Sequence, residues 1–106
     1  MITVEQIQQG IELAKQASIA KYDQMGRKDA YACGFAWVDI PNGRSPFVNW
    51  CKKNNIGDKH WKKGWSIWNP AGNGTQSMDI KEAGAHAFAE VLVKHGITAY
   101  MGSRAD

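Results

Sequence analysis

Large and small apolar residues alternate along Tyr31 to Ile40: Tyr31, Cys33, Phe35 and Trp37 fall on one side, and Ala32, Gly34, Ala36 and Val38 on the other. A period of two belongs to a β-strand, and a strand apolar on both faces belongs in the interior of a sheet. The small face admits a helix at close range. The aromatic face requires a second cover or lines a pocket.

The flanking pattern is helical. Thr3 and Gln6 have capping-box spacing, Ile2 stands where it can staple against Ile7, and Val4, Ile7, Ile11, Ala14 and Ala17 or Ser18 recur at helical intervals. A first helix is therefore expected from Val4 to about Asp23 or Gln24, followed by a polar connection through Gly26 to Asp29. Pro41-Asn42-Gly43 closes the strand with turn chemistry. Ser45 and Pro46 then open a second helix whose face is Phe47, Trp50 and Cys51, ending near Asn54 to Gly57.

Asp58 to Lys63 reads as a basic loop, and Gly64 to Asn69 as a short aromatic strand stopped by Pro70. A third helix is expected with Asp79 as N-cap, Glu82 as its capping partner, and His95-Gly96 at its end. Its inner face is Ile80, Ala83, Gly84, Ala87, Phe88, Val91 and Leu92, with Ala83, Gly84 and Ala87 set against the small face of the first strand. Ile97 to Met101 makes the last strand, and Gly102 to Asp106 a polar tail. The Gly64 to Met101 unit crosses over right-handed if its two strands are parallel. The fold class is α+β: one domain over residues 1–106, a three-stranded sheet with three helices mostly on one face, in the order α-β-α-β-α-β.

Composition adds that 43% hydrophobic and 22% charged residues place the chain among globular proteins. There is no run of the roughly 18 apolar residues that a membrane span needs, and the polar helical opening is unlike a signal peptide, so a cytosolic protein is expected. Cys33 and Cys51 make neither a framework nor a metal motif and read as reduced structural thiols, Cys51 being the more plausible reactive one because lysines adjoin it.

Charge changes the picture more. The net charge is +3, but Arg44 to Trp65 holds six basic residues against Asp58, a local balance of +5, while the remainder carries −2. A basic segment on a slightly acidic body points to a localised anion contact. The candidate site joins Lys62, Lys63, Trp65, Trp68 and Asn69 with the Asn73-to-Gln76 loop, Gln76 included, and with Ser103 and Arg104. Glycine loops present N–H groups, arginine forks onto phosphate, and indoles stack on bases. The same residues also read as core or interface aromatics beside solvated lysines, and strand alternation places Trp65 and Trp68 on opposite faces.

Glu82, His86 and Glu90 form a column on the third helix that reads as a solvated face and not as a metal site. With no phosphate-loop motif and no nucleophile elbow, catalysis and a bound cofactor are not expected.

Four stretches, Tyr31 to Val38, Ile67 to Pro70, Gln76 to Gly84 and Ala99 to Asp106, resemble a family of small uncharacterised proteins encoded by tailed bacteriophages. The resemblance covers roughly the last three quarters of the chain and departs from the family pattern over Gly43 to Lys63. It implies a phage setting without supplying an activity. Three readings follow: a non-enzymatic accessory protein that binds an anionic, nucleotide-type molecule and blunts a host defence; an interaction module that inhibits a host protein through exposed Trp50, Trp61 and Trp65; and a nucleic-acid-binding protein using the basic loop. Self-association into a homo-oligomer is expected from the uncovered aromatic face.

Overall fold

The capping box forms as the sequence requires. Gln6 N donates to Thr3 Oγ1 at 3.1 Å and Thr3 N donates to Gln6 Oε1 at 3.0 Å, so helix α1 (Val4–Gln24) starts where its orphan N–H groups first find partners. This computed structural model describes residues 2–26, 33–60, 62–72 and 77–105. Strand β1 (Gly34–Ile40) follows, then helix α2 (Pro46–Lys53), where Val48 N donates to Ser45 Oγ. Strands β2 (Asp58–Lys59) and β3 (Trp65–Trp68), helix α3 (Met78–Lys94) and strand β4 (Tyr100–Ala105) complete the described order.

The architecture is α+β, with four strands among the described residues where three are predicted. The additional strand is the two-residue β2 inside the predicted basic loop, too short for any periodic signal. The sheet order is β2-β3-β1-β4, antiparallel throughout, which makes β1 interior. Strands β3 and β4 both oppose β1 and so run in the same direction, with β1 between them.

The last strand lies further along than predicted because Ile97 is used to finish α3. Ile97 N donates to Leu92 O and Gly96 N to Val93 O, with Gly96 at φ 80°, a Schellman-type close. Most of the predicted polar tail is therefore β4. Helix α3 also begins earlier than predicted: Ser77, which forms a bridge with Cys33, occupies the N-cap position. Asp79 consequently lies inside the first turn, where its charge complements the helix dipole.

The two faces of β1 divide as expected. Ala36, Val38 and Ile40 are buried in the core with Ile67, Phe47, Phe88 and Leu92, whereas Phe35 and Trp37 on the other face are half-buried. The small residues of α3 serve a different neighbour from the one predicted. Gly84 meets Ser18 and Ala14 of α1, Ser18 Oγ donates to Ile80 O at 2.9 Å, and Ala85 and Ala89 are buried while Ala83 and Ala87 are not. A helix covered by both a second helix and a sheet buries a stripe wider than one face, so the inner set is rotated from the simple pattern. Among the described residues, no helix is long and apolar enough to cross a membrane.

The cysteines exchange the environments expected of them: both are free thiols, but Cys33 is exposed and Cys51 fully buried. Burial pushes the Cys51 thiol up to about 11 by penalising the thiolate. Its contribution to stability is complete below the ordinary value of 9.0 and is lost as pH rises towards about 11. A thiol reagent applied to the native protein near pH 8 is expected to modify Cys33 and to reach Cys51 only after denaturant is added; equal labelling of both in the native state contradicts this burial.

Candidate functional site

The carboxyl end of β1 opens onto a cleft of about 670 Å³ whose lining includes Arg44, Lys52, Lys59, Lys63, Trp65 and Thr98 and, among the described residues, no carboxylate. Its size falls in the range of small-ligand sites. Each wall has a local cause. Arg44 N donates to Asn42 Oδ1 at 3.0 Å, an Asx turn that follows from Pro41-Asn42-Gly43. Lys52, in the last turn of α2, donates to Gly43 O at 3.1 Å, and its Nζ stands 5.5 Å from the Trp65 ring centroid. The Trp65 indole is held in turn by Nε1 donating to Ile56 O at 2.9 Å. Gly64 has φ +87°, and a Cβ there would run into the carbonyls of Ile40 and Pro41; only glycine brings this floor so close to β1.

His60 pins the basic loop to the sheet. Its Nδ1 accepts from Lys62 N at 3.1 Å and Lys63 N at 3.4 Å, and its Nε2 lies 3.3 Å from Asp39 Oδ1, which also accepts from Ser66 Oγ at 3.1 Å. An Nδ1 that accepts leaves the proton on Nε2, facing the carboxylate. The loop lysines are thus presented from a fixed backbone.

The residues predicted to form one site are divided between two surfaces. Lys63 and Trp65 line the cleft, and Lys62 is exposed on the adjoining loop. Trp68 lies on the opposite sheet face, 48% exposed, in register with Trp37. Arg104 pairs in register with Phe35 and places its guanidinium carbon 5.7 Å from that ring. Ser103 donates to Glu82 Oε2 at 2.6 Å and takes no part in the cleft. Asn69, at φ 44°, donates its backbone N–H to Ala36 O and turns the chain out of β3. Gln76 and the rest of the Asn73-to-Gln76 loop lie outside the described residues, as does Trp61.

Arg44, Lys52 and Lys59 are cleft residues that the predicted site omitted, although the +5 charge run contained all three. Their convergence depends on α2 folding back towards the end of β1. Trp50 and Trp65, predicted as exposed anchors, are half-buried and packed against the core, and Phe47 stacks on Trp50 at 6.3 Å. On α3, His86 Nε2 lies 2.8 Å from Glu90 Oε1, both well exposed, while Glu82 turns to Ser103. Among the described residues, no group of three or more His, Cys, Asp or Glu is placed to hold a metal ion. Neither family models, nor curated proteins, nor solved structures match this chain.

Proposed function

We propose that the protein is a non-enzymatic binder of an anionic, nucleotide-type ligand, held in the cleft between the β1 turn, α2 and the basic loop. The observation that carries this reading is the convergence of Arg44, Lys52, Lys59 and Lys63 on one cleft with no acidic group in its lining among the described residues. Four cations kept together at a concave surface repel one another, and a phosphate-bearing ligand relieves that repulsion. Arg44 offers a bidentate fork, the lysines offer compact point charges, and Trp65 with Thr98 gives a base or sugar a partly apolar wall.

The grouping of Asp39, His60 and Ser66 supports a binding role over catalysis. Ser66 Oγ and His60 Nε2 both turn to Asp39 Oδ1, so the hydroxyl gives its hydrogen bond to the carboxylate and not to a base in the cleft. With the phage setting that the sequence resemblance implies, the protein acts in the host cytosol as a sequestering agent for a nucleotide-type signal used in host defence.

Calorimetric titration tests this with three probes: a nucleoside triphosphate, inorganic pyrophosphate and the unphosphorylated nucleoside. The expected order of affinity is triphosphate, then pyrophosphate, then nucleoside, with the first two weakening as salt is raised. A nucleoside that binds as tightly as its triphosphate overturns the reading.

A further inference from the structure

We propose that the sheet face carrying Phe35, Trp37, Trp68 and Tyr100 is a stacking platform for single-stranded nucleic acid, independent of the anion cleft. The apolar side chains that β1, β3 and β4 place on this face are Phe35, Trp37, Trp68 and Tyr100, and all four are aromatic. Trp37 and Trp68 lie 4.9 Å apart between centroids and tilted by 30°, and Phe35 meets Trp68 edge-on at 5.8 Å. Gly102 sits beneath Trp37: a Cβ at that position would fall within 2.9 Å of Nε1, Cε2 and Cζ2, so the indole rests directly on the β4 backbone. Trp68 and Tyr100 are exposed, and Phe35 and Trp37 are half-buried.

The chemistry favours nucleobases over an aliphatic protein surface. Flat rings without Leu, Ile, Val or Met among them offer π-faces to any base, whereas an interface between protein cores also draws on branched side chains.

Charge complements a phosphodiester backbone at the Phe35 end of the platform. Lys81 Nζ, bonded to Gly34 O at 3.0 Å, is 5.2 Å from the Phe35 centroid, and the Arg104 guanidinium stands at the same ring. At the far end the face carries the carboxylate of Asp39, held by His60, and that of Asp58, which pairs in register with Ser66, so the cationic end is the one at Phe35. A strand of nucleic acid crossing the face therefore meets the Lys81 and Arg104 cations and then two or three rings. Recognition through stacking and phosphate contacts is tolerant of sequence and selects single strands, because duplex bases keep their faces hidden.

Fluorescence anisotropy with a short labelled oligothymidylate, and with the same sequence as a duplex, tests the proposal. The single strand is expected to bind, to weaken as salt rises, and to be preferred over the duplex. Trp68→Ala is expected to weaken binding roughly ten-fold and Trp68→Phe to restore most of it, with circular dichroism unchanged. Arg44→Ala in the cleft is expected to leave oligonucleotide binding intact while weakening the triphosphate, which separates this proposal from the cleft reading. The proposal is overturned if the oligonucleotide does not bind, or if Arg44→Ala abolishes its binding while Trp68→Ala does not. A Trp68→Ala effect on sedimentation alone, without oligonucleotide binding, equally overturns it and assigns the face to a second copy of the chain.

Discussion

Replacing Gly84 by leucine is expected to lower the unfolding free energy by about 3 kcal/mol, because helix α3 lies against α1 with no room for a side chain at that point. A Cβ at Gly84 would stand 2.5 Å from Ser18 Oγ, 2.8 Å from Ala71 Cβ and 3.3 Å from the Ala14 carbonyl oxygen. The first of these is the hydroxyl that bonds to Ile80 O, so the helices must separate and a buried hydrogen bond is lost with them. For a domain of this length, with a total stability on the order of 5–15 kcal/mol, the loss corresponds to a fall in Tm of more than about 10 °C. Alanine at the same position gains helix propensity of about 1 kcal/mol, which offsets part of its smaller clash, so leucine is the decisive variant. Thermal melting of both variants checks the packing. A leucine variant that melts with the parent protein would mean that α1 and α3 do not meet here.

The second large effect is on binding. Lys59→Glu combined with Lys63→Glu replaces two of the four cleft cations by anions. Losing two charge-assisted contacts removes roughly 3–6 kcal/mol of interaction, so affinity for a nucleoside triphosphate is expected to fall at least about 100-fold. Both residues are exposed, and stability should change by no more than about 0.5 kcal/mol. Titration and melting of the same preparation check the two halves together. Retained affinity in a folded double variant would move the ligand elsewhere.

What could be read from the chain depended on whether the signal was local. Thr3 with Gln6, and Ser45 with Pro46, mark helix starts through atoms three residues apart, and both formed where predicted. The alternation from Tyr31 to Ile40 identifies an interior strand because each face has to satisfy a different neighbour; the strand forms over Gly34–Ile40, with Tyr31 and Ala32 outside the described residues. Errors arose where a residue was claimed by something distant. Ile97 has a strand pattern but closes α3, and Gly84 matches the small face of β1 but packs against α1. Cys51 has lysine neighbours in sequence, yet its side chain is buried in the core with Phe47 and Val48.

The candidate site shows the same division. The charge run from Arg44 to Trp65 identified the basic surface. Which cations share the cleft depends on the Asx turn at Asn42 and the return of α2, neither visible in composition. Trp65 and Trp68 are three residues apart and so belong to opposite faces of β3, which is why one predicted site became two surfaces.

The central claim is that the cleft itself takes the phosphate-bearing ligand. The most direct test is a titration of isotopically labelled protein with a nucleoside triphosphate, following the backbone amide resonances. Shifts are predicted at Asn42, Gly43, Arg44, Lys52, Lys59, Lys63, Gly64, Trp65 and Thr98, with Phe35, Trp37 and Arg104 far less affected. Saturable shifts confined to the aromatic sheet face, or none at all at millimolar ligand, would contradict it.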